Sequence, residues 1–322
     1  MKAIVFDGSL RITGIRGKPV PAHGDALIRV SMAGICNTDM EITKGNLGYN
    51  GTIGHEFTGI VEAIGGRSKK MVGKRVVGEI NCGCGHCDIC LKGLEKHCPD
   101  RTTIGILGRE GAFAEYMTLP VKNLHEIPDG LTDEEAVFTE PLAAAFEILE
   151  QIRVGTRDTI LVVGDGKLGI LCALALRLTG AHVTLAGKHP SKLSIARDQG
   201  VPAVMTKDLY PGSKYDIVVE ATGSADTFQT AMKLTKPRGV IVLKSTVAHG
   251  SPINLAPIVI DELNVIGSRC GPFKPALKAL ADGLIDVKPL ISAIFSPREA
   301  KKAFAAARNR NTLKVLIDFR RK

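Results

Sequence analysis

A chain of 322 residues is longer than one hydrophobic core usually serves, and its 44% apolar and 23% charged residues are ordinary for a water-soluble protein, so two domains are expected. Its longest apolar stretch, near Leu168 to Leu176, is too short to span a bilayer and is interrupted by Arg177, which excludes a membrane-spanning helix there. The formal charge of +9 is spread without a long basic block and aromatics make up only 4%, which favours a solvated basic surface and phosphate-bearing small ligands over nucleic acid.

From Met1 to about Asn123 the pattern is short β-type runs broken by Gly and Pro: AIVF, ALIRVSMAGI, GTIGHEFTGIVEAI, GKRVVGEI and GAFAEYMTL. This half reads as a barrel-like β domain. The opening MKAIVFDG is already strand-like, with no charged-then-apolar leader, so a reducing, cytoplasmic compartment is expected. Around Glu134 the character changes. DEEAVFTEPLAAAFEILEQI predicts a helix, and TILVVGDGKLGILCALALRLTGAHVTLAGKH reads as strand, tight glycine turn, helix, strand. KYDIVVEATG, GVIVLKS and LNVIGSR continue as buried strands of a parallel sheet. After Cys270 the sequence predicts helices near Pro275 to Ala281 and Pro297 to Asn309, then a closing strand, LKVLIDF.

Within the β half, Cys84, Cys87, Cys90 and Cys98 stand at C-x2-C-x2-C-x7-C spacing in CGHCDICLKGLEKHC. Two-residue gaps aim successive sulfurs at a common point, whereas disulfides link separated segments, so the run predicts a structural zinc site. Cys82, His86 and His97 share the lobe without improving on that spacing.

The turn Gly164-Asp-Gly166-Lys167-Leu168-Gly169 follows a strand and opens a helix, the context in which GxGxxG signals a dinucleotide pyrophosphate at a helix N-terminus. An acidic residue that would bind a ribose 2′-hydroxyl is expected about 20 positions on, at the end of the second strand. That position is Gly187, followed by Lys188, His189 and, a turn later, Lys192. With no carboxylate there and positive charge beside it, NADP is expected over NAD.

Further possible zinc ligands are scattered: Cys36 in GICNTD, His55 and Glu56 in GHEFTG, and Glu140 in TEPLAAA. Scattered N, S and O donors suit a catalytic ion with an open position rather than a structural one. GICNTD, GHEFTG, the four-cysteine lobe, TEPLA, the GDGKLG turn and EATG come in the order found in the zinc-dependent medium-chain dehydrogenase/reductase (alcohol dehydrogenase) family, which the whole chain resembles. Glutamates in GHE and EPLA make it look most similar to the branch of polyol, threonine and glucose dehydrogenases.

That resemblance implies an α/β protein: a GroES-like β-rich catalytic domain over 1–139 and 272–322, with its structural zinc lobe at about 82–98, and a Rossmann doubly wound parallel-sheet domain inserted over 140–271. It implies two zinc ions per subunit, the catalytic one held by Cys36, His55 and either Glu56 or Glu140, in a cleft where cofactor and zinc meet. Thr38 is implied to pass on the substrate's proton, Asp39 to orient His55, Arg269 to lie near nicotinamide and substrate, and Lys314 to meet the pyrophosphate. Many relatives carry a histidine three positions after that threonine, where this chain has Glu41.

The function implied is hydride transfer between a secondary alcohol, polyol or sugar carbinol and a nicotinamide cofactor, in a homodimer or homotetramer. Asn46, Leu47, Tyr49, Ile106 and Phe113 are candidates for the substrate pocket. A zinc-independent quinone or enone reductase on the same scaffold is the alternative within enzymes. A zinc-stabilised nucleic-acid or partner-binding module is the alternative outside them, and it explains neither the glycine turn nor the scattered ligands.

Overall fold

The computed structural model describes residues 1–14, 17–67, 69–210, 212–224, 226–246 and 252–321. They form two units, Met1–Glu140 with Leu280–Asp282 and Leu290–Lys322, and Pro141–Ala279 with Gly283–Pro289.

The first unit is organised by one long strand, β1 (Asp25–Gly34), buried along almost its whole length. One edge pairs antiparallel with β2 (Glu56–Ile64), which continues the sheet through β3 (Arg75–Gly78). The other edge is shared: β4 (Tyr116–Pro120) pairs with its first half. β5 (Leu124–Glu126) then closes on β3. Two register irregularities between β1 and β2 bend the ladder, as bulges do where a sheet curls.

The predicted helix over 133–152 is two helices. A single turn, Asp133–Ala136, is closed by a reciprocal cap between Thr132 and Glu135, and a longer helix follows at Thr139–Gln151. Pro141 accounts for the break, since its ring would collide with the carbonyl four residues back in a continuous helix.

The second unit holds six strands in one parallel sheet: β6 (Thr159–Val163), β7 (His182–Gly187), β8 (Ala203–Met205), β9 (Tyr215–Glu220), β10 (Thr235–Leu243) and β11 (Asn264–Gly267). Their order is β8-β7-β6-β9-β10-β11, which reverses direction between β6 and β9. In such sheets the crevice at the carboxyl ends of the strands, at that reversal, is where ligands bind. The helix after β6, Lys167–Arg177, is buried without interruption from Gly169 to Leu176, so it is covered on all sides rather than amphipathic.

The expected return to the catalytic unit at 272 occurs later. The helix Phe273–Ala281 belongs to the second unit as far as Ala279, and Gly283–Pro289, which also belongs to it, is tied there by hydrogen bonds from Arg177 Nη2 to the Leu284 carbonyl and between the Gln199 amide and the Asp286 backbone. The chain then adds β12 (Ile291–Phe295) and β13 (Lys314–Asp318) to the first unit, β13 taking the second half of the shared edge of β1. The helical stretch between them is a 3-10 turn, Pro297–Glu299, leading into Ala300–Ala307.

Lys314, expected at a pyrophosphate, is fully buried in the first unit with its ammonium on the equally buried Glu56 carboxylate, 5.6 Å from the Phe138 ring centre. A β-carbon on Gly34 would strike that carboxylate, so the end of β1 must be glycine for the pair to fit. Replacing one partner of such a pair leaves the other charge buried alone. Lys314→Ala is therefore expected to cost about 3 to 5 kcal/mol, read as a lower midpoint in urea unfolding.

Candidate active site and metal centres

The cysteine lobe brings the Sγ atoms of Cys84, Cys87, Cys90 and Cys98 within 4.8 Å of one another, with Cys84 to Cys90 at 3.9 Å and Cys87 to Cys98 at 3.8 Å. Four thiolates about 2.3 Å from a central zinc would stand about 3.8 Å apart, so the residues fit that ion. All four are free thiols, far from the ~2.05 Å of a disulfide. The backbone shapes the cage: Gly85 and Gly93 adopt positive φ at two turns, Cys87 opens the helical turn Asp88–Leu91, and the turn Glu95–His97 delivers Cys98. Backbone N–H groups of His86 and Cys87 pull the Cys84 thiol down to about 6, while burial pushes Cys90 up to about 12. Cys82 is buried outside the cluster, and His86 turns its Nδ1 to the Cys84 carbonyl.

The second donor group lies where β1 ends and β2 begins. Cys36 caps the short helix Asn37–Thr43, and Asp39 in its first turn accepts the Cys36 N–H at 2.8 Å. The other oxygen of Asp39 accepts the Gly54 N–H at 3.1 Å and lies 3.4 Å from His55 Nδ1. One buried carboxylate thus sets the loop of Cys36 against the strand of His55 and Glu56. Donor atoms of Cys36, His55 and Glu56 fall within 4.8 Å of one another, and Glu140, in the first turn of its helix, is not among them.

These donors fit a metal ion. Glu56 Oε1 is buried with no hydrogen-bond partner, a costly arrangement unless something outside the chain satisfies it, and His55 Nδ1 is turned to the Asp39 carboxylate at 3.4 Å. Burial opposes a positive charge at His55, yet Asp39 and Cys36 outweigh it and hold its proton affinity well above the usual histidine range. The surroundings favour a cation. One sulfur, one nitrogen and one oxygen leave the fourth position that a catalytic zinc requires. Lys314 neutralises only the other oxygen of Glu56.

Around this group, the Thr38 hydroxyl is 3.8 Å from Cys36 Sγ. Glu41 is held by Lys44 at 2.7 Å and by the Asn46 amide at 2.5 Å. Two pocket candidates are structural instead. The Tyr49 hydroxyl bridges the carbonyls of Thr52 and Arg109, and Phe113 is fully buried edge-on against Phe304. Leu47 is exposed and Ile106 half-buried.

In the second unit the glycines divide by role. Gly164 has φ +123° and its β-carbon would lie 2.5 Å from the Ala221 carbonyl oxygen, while one on Gly169 would strike the Gly164 carbonyl, so both are dictated by packing. Gly166 has open space where a β-carbon would be, at the N-terminus of the helix that begins with Lys167 and Leu168. That open cradle of amide donors fits a pyrophosphate. Beyond β7, Lys188 is exposed, His189 half-buried and Lys192 buried. Asp165 touches this same turn and was not singled out by sequence reasoning; its signal was a charged residue between the first two glycines. Arg269 is exposed just past β11, with Nη1 3.6 Å from Cys270 Sγ. Cys172 is core, its thiol pushed up to about 11 by burial.

Residues 22–129 match the alcohol dehydrogenase GroES-like domain, and residues 168–282 match the zinc-binding dehydrogenase domain. The chain is 30% identical to a 2-dehydro-3-deoxy-L-galactonate 5-dehydrogenase of Pseudoalteromonas atlantica, over 95% of this chain and 94% of the relative. Its fold is similar to that of the alcohol dehydrogenase RspB of E. coli CFT073 in complex with NADH, with a TM-score of 0.91, 29% identity and 99% of each chain covered. It is similar also to a zinc-binding dehydrogenase from Sinorhizobium meliloti 1021 bound to NADP, with a TM-score of 0.89, 31% identity and 98% of each chain covered. The chain belongs to the zinc-dependent medium-chain alcohol dehydrogenase family. It is an oxidoreductase of the class that moves hydride between CH–OH donors and a nicotinamide cofactor.

If the thiol cage holds zinc, as its geometry fits, Cys90→Ser is expected to lose the ion and expose residues 82–98 to proteolysis. Limited digestion followed by mass spectrometry reads this directly, with a fall in Tm of roughly 5 °C if about 2 kcal/mol is lost.

Proposed function

We propose that this chain oxidises a secondary alcohol, polyol or sugar carbinol with NADP, using one zinc ion in the cysteine lobe and a second, catalytic one at Cys36, His55 and a glutamate. The observation that carries the reading is the buried cluster of Cys36, His55 and Glu56 donors within 4.8 Å of one another, with one Glu56 oxygen left unpartnered. In the conformation described, Glu56 supplies the glutamate oxygen, and Glu140 is the residue that would replace it in an exchanged arrangement. Zinc bound there would act as a Lewis acid that lowers the proton affinity of a substrate hydroxyl.

The chain's own residues do the rest. Asp39 keeps His55 oriented, Thr38 takes the hydroxyl proton through its Oγ1, and Glu41 stands further along the same helix as an outer acceptor. Arg269 is assigned to the substrate and nicotinamide end of the cofactor.

The cofactor preference is supported by Gly187, which brings no carboxylate of its own, and by Lys188 and His189 after it. The substrate class is supported by the sugar-acid relative. A homo-oligomer is supported by exposed apolar side chains, Leu255 capping the helical turn Ala256–Ile260, Val259 and Ile260 on it, and Val265 on the edge strand β11. The free thiols of both clusters suit a reducing cytoplasm.

Elemental analysis and activity together test the reading. The unchelated enzyme is expected to hold two zinc ions per subunit and Cys36→Ala only one, the variant losing hydride transfer to polyols while retaining nucleotide binding. A single ion in the parent enzyme, or full activity in Cys36→Ala, would refute it. Thr38→Ala is expected to lower kcat by about 100-fold or more with zinc content unchanged.

A further inference from the structure

The strand end that lacks an acid is not without one. Asp165 reaches it from the glycine turn of the neighbouring strand β6: its Oδ2 accepts the N–H groups of Lys188 and His189, both at 2.6 Å, and the His189 Nδ1 lies 3.0 Å from Oδ2 and 3.1 Å from Oδ1. A β-carbon on Gly187 would lie 2.5 Å from that Oδ2 and 2.6 Å from the Asp165 Cγ. Residue 187 is glycine because Asp165 fills its place.

Two features set this carboxylate apart from one that binds a ribose hydroxyl. A carboxylate offers about four acceptor positions, and here the donors of a single turn already claim most of them, with the side chain 10% exposed. Its charge is also outnumbered. Lys188 follows at once and is exposed, and Lys192 lies within electrostatic reach of Asp165. The arrangement spends its negative charge on the backbone and leaves the outward side positive. The His189 ring, 35% exposed, turns Nδ1 to the carboxylate and leaves Nε2 for an outside partner.

We propose that Asp165 is the positioning residue of the cofactor's 2′-phosphate site, holding the Gly187–His189 turn so that Lys188 and the His189 ring receive that group. This rests on the NADP preference proposed above and names the residue that builds it. Asp165 touches the turn, not the phosphate.

Titration calorimetry of the full-length, zinc-loaded enzyme with 2′,5′-ADP and with 5′-AMP separates the claims, because these nucleotides differ only by the 2′-phosphate. The parent enzyme is expected to bind 2′,5′-ADP about 10-fold more tightly. In Asp165→Ala that advantage should disappear, through an approximately 10-fold loss for 2′,5′-ADP with 5′-AMP changed less than about three-fold. Asp165→Asn, which keeps an acceptor for the two backbone N–H groups, should restore part of it and guards against an alanine variant that does not fold. A parent enzyme with no preference for 2′,5′-ADP overturns the cofactor assignment. Given that preference, a ratio that stays put or rises in both variants overturns the role of Asp165, a rise meaning that the carboxylate repels the phosphate.

Discussion

Two buried ionic contacts fix the geometry on which the catalytic proposal depends. Asp39 spans from the first turn of a short helix to the segment that leads into β2, gripping the Cys36 and Gly54 amides and standing beside His55. Lys314 does the equivalent from the C-terminal strand, neutralising one oxygen of Glu56 where no water reaches it. Burying charge is expensive, and an ion pair offsets the cost only when its geometry is held on both sides. These two contacts therefore act less as sources of stability than as locators, setting donors from distant parts of the sequence within 4.8 Å of one another. The last strand of the chain is drawn into the first unit partly because the residue that balances Glu56 lies on it.

The same logic separates the two candidate metal centres. In the cysteine lobe, four ligands come from fifteen consecutive residues, and local turns alone aim the sulfurs. The other centre takes its ligands from a helix cap and a strand start, so it exists only when the sheet around β1 has formed. One oxygen of Glu56 remains unpaired by protein, whereas the sulfurs of the lobe meet one another and nearby backbone N–H groups. A site left unsatisfied by its own fold is poised for an exogenous partner, and that is the physical difference between an ion that holds structure and one that does chemistry.

How much of this was legible in the sequence follows from how local each feature is. The cysteine spacing, the strand-glycine-helix turn and the alternating strands of the second unit are short-range patterns, and each lies where the pattern placed it. Features set by long-range contacts were read less well. The apolar period runs through Pro141 and hides the break there, and nothing in the sequence announces the hydrogen bonds of Gln199 and Arg177 to residues 284–286 that keep the chain in the second unit beyond 272. Lys314 was assigned to an anion outside the protein when the anion was Glu56, 258 positions away. Phe113 was considered for the substrate pocket, yet its ring packs against Phe304 in the core.

Asp165 shows why residue type at one position is an unsafe guide to chemistry at that place. Reading Gly187 alone gives a strand end without a carboxylate, and that reading of the backbone is sound, but the adjacent parallel strand ends at the same level and its glycine loop faces the same turn. In a parallel sheet the loops after neighbouring strands share one edge, so a side chain missing from one can be replaced by its neighbour. What then distinguishes the two solutions is direction. A carboxylate rooted at the strand end would meet the ligand with its acceptors free, whereas one arriving from the glycine loop meets the backbone N–H groups first and leaves the Lys188 side chain outermost. On the cofactor preference proposed above, the choice of ribose substituent follows from which strand the acid is attached to.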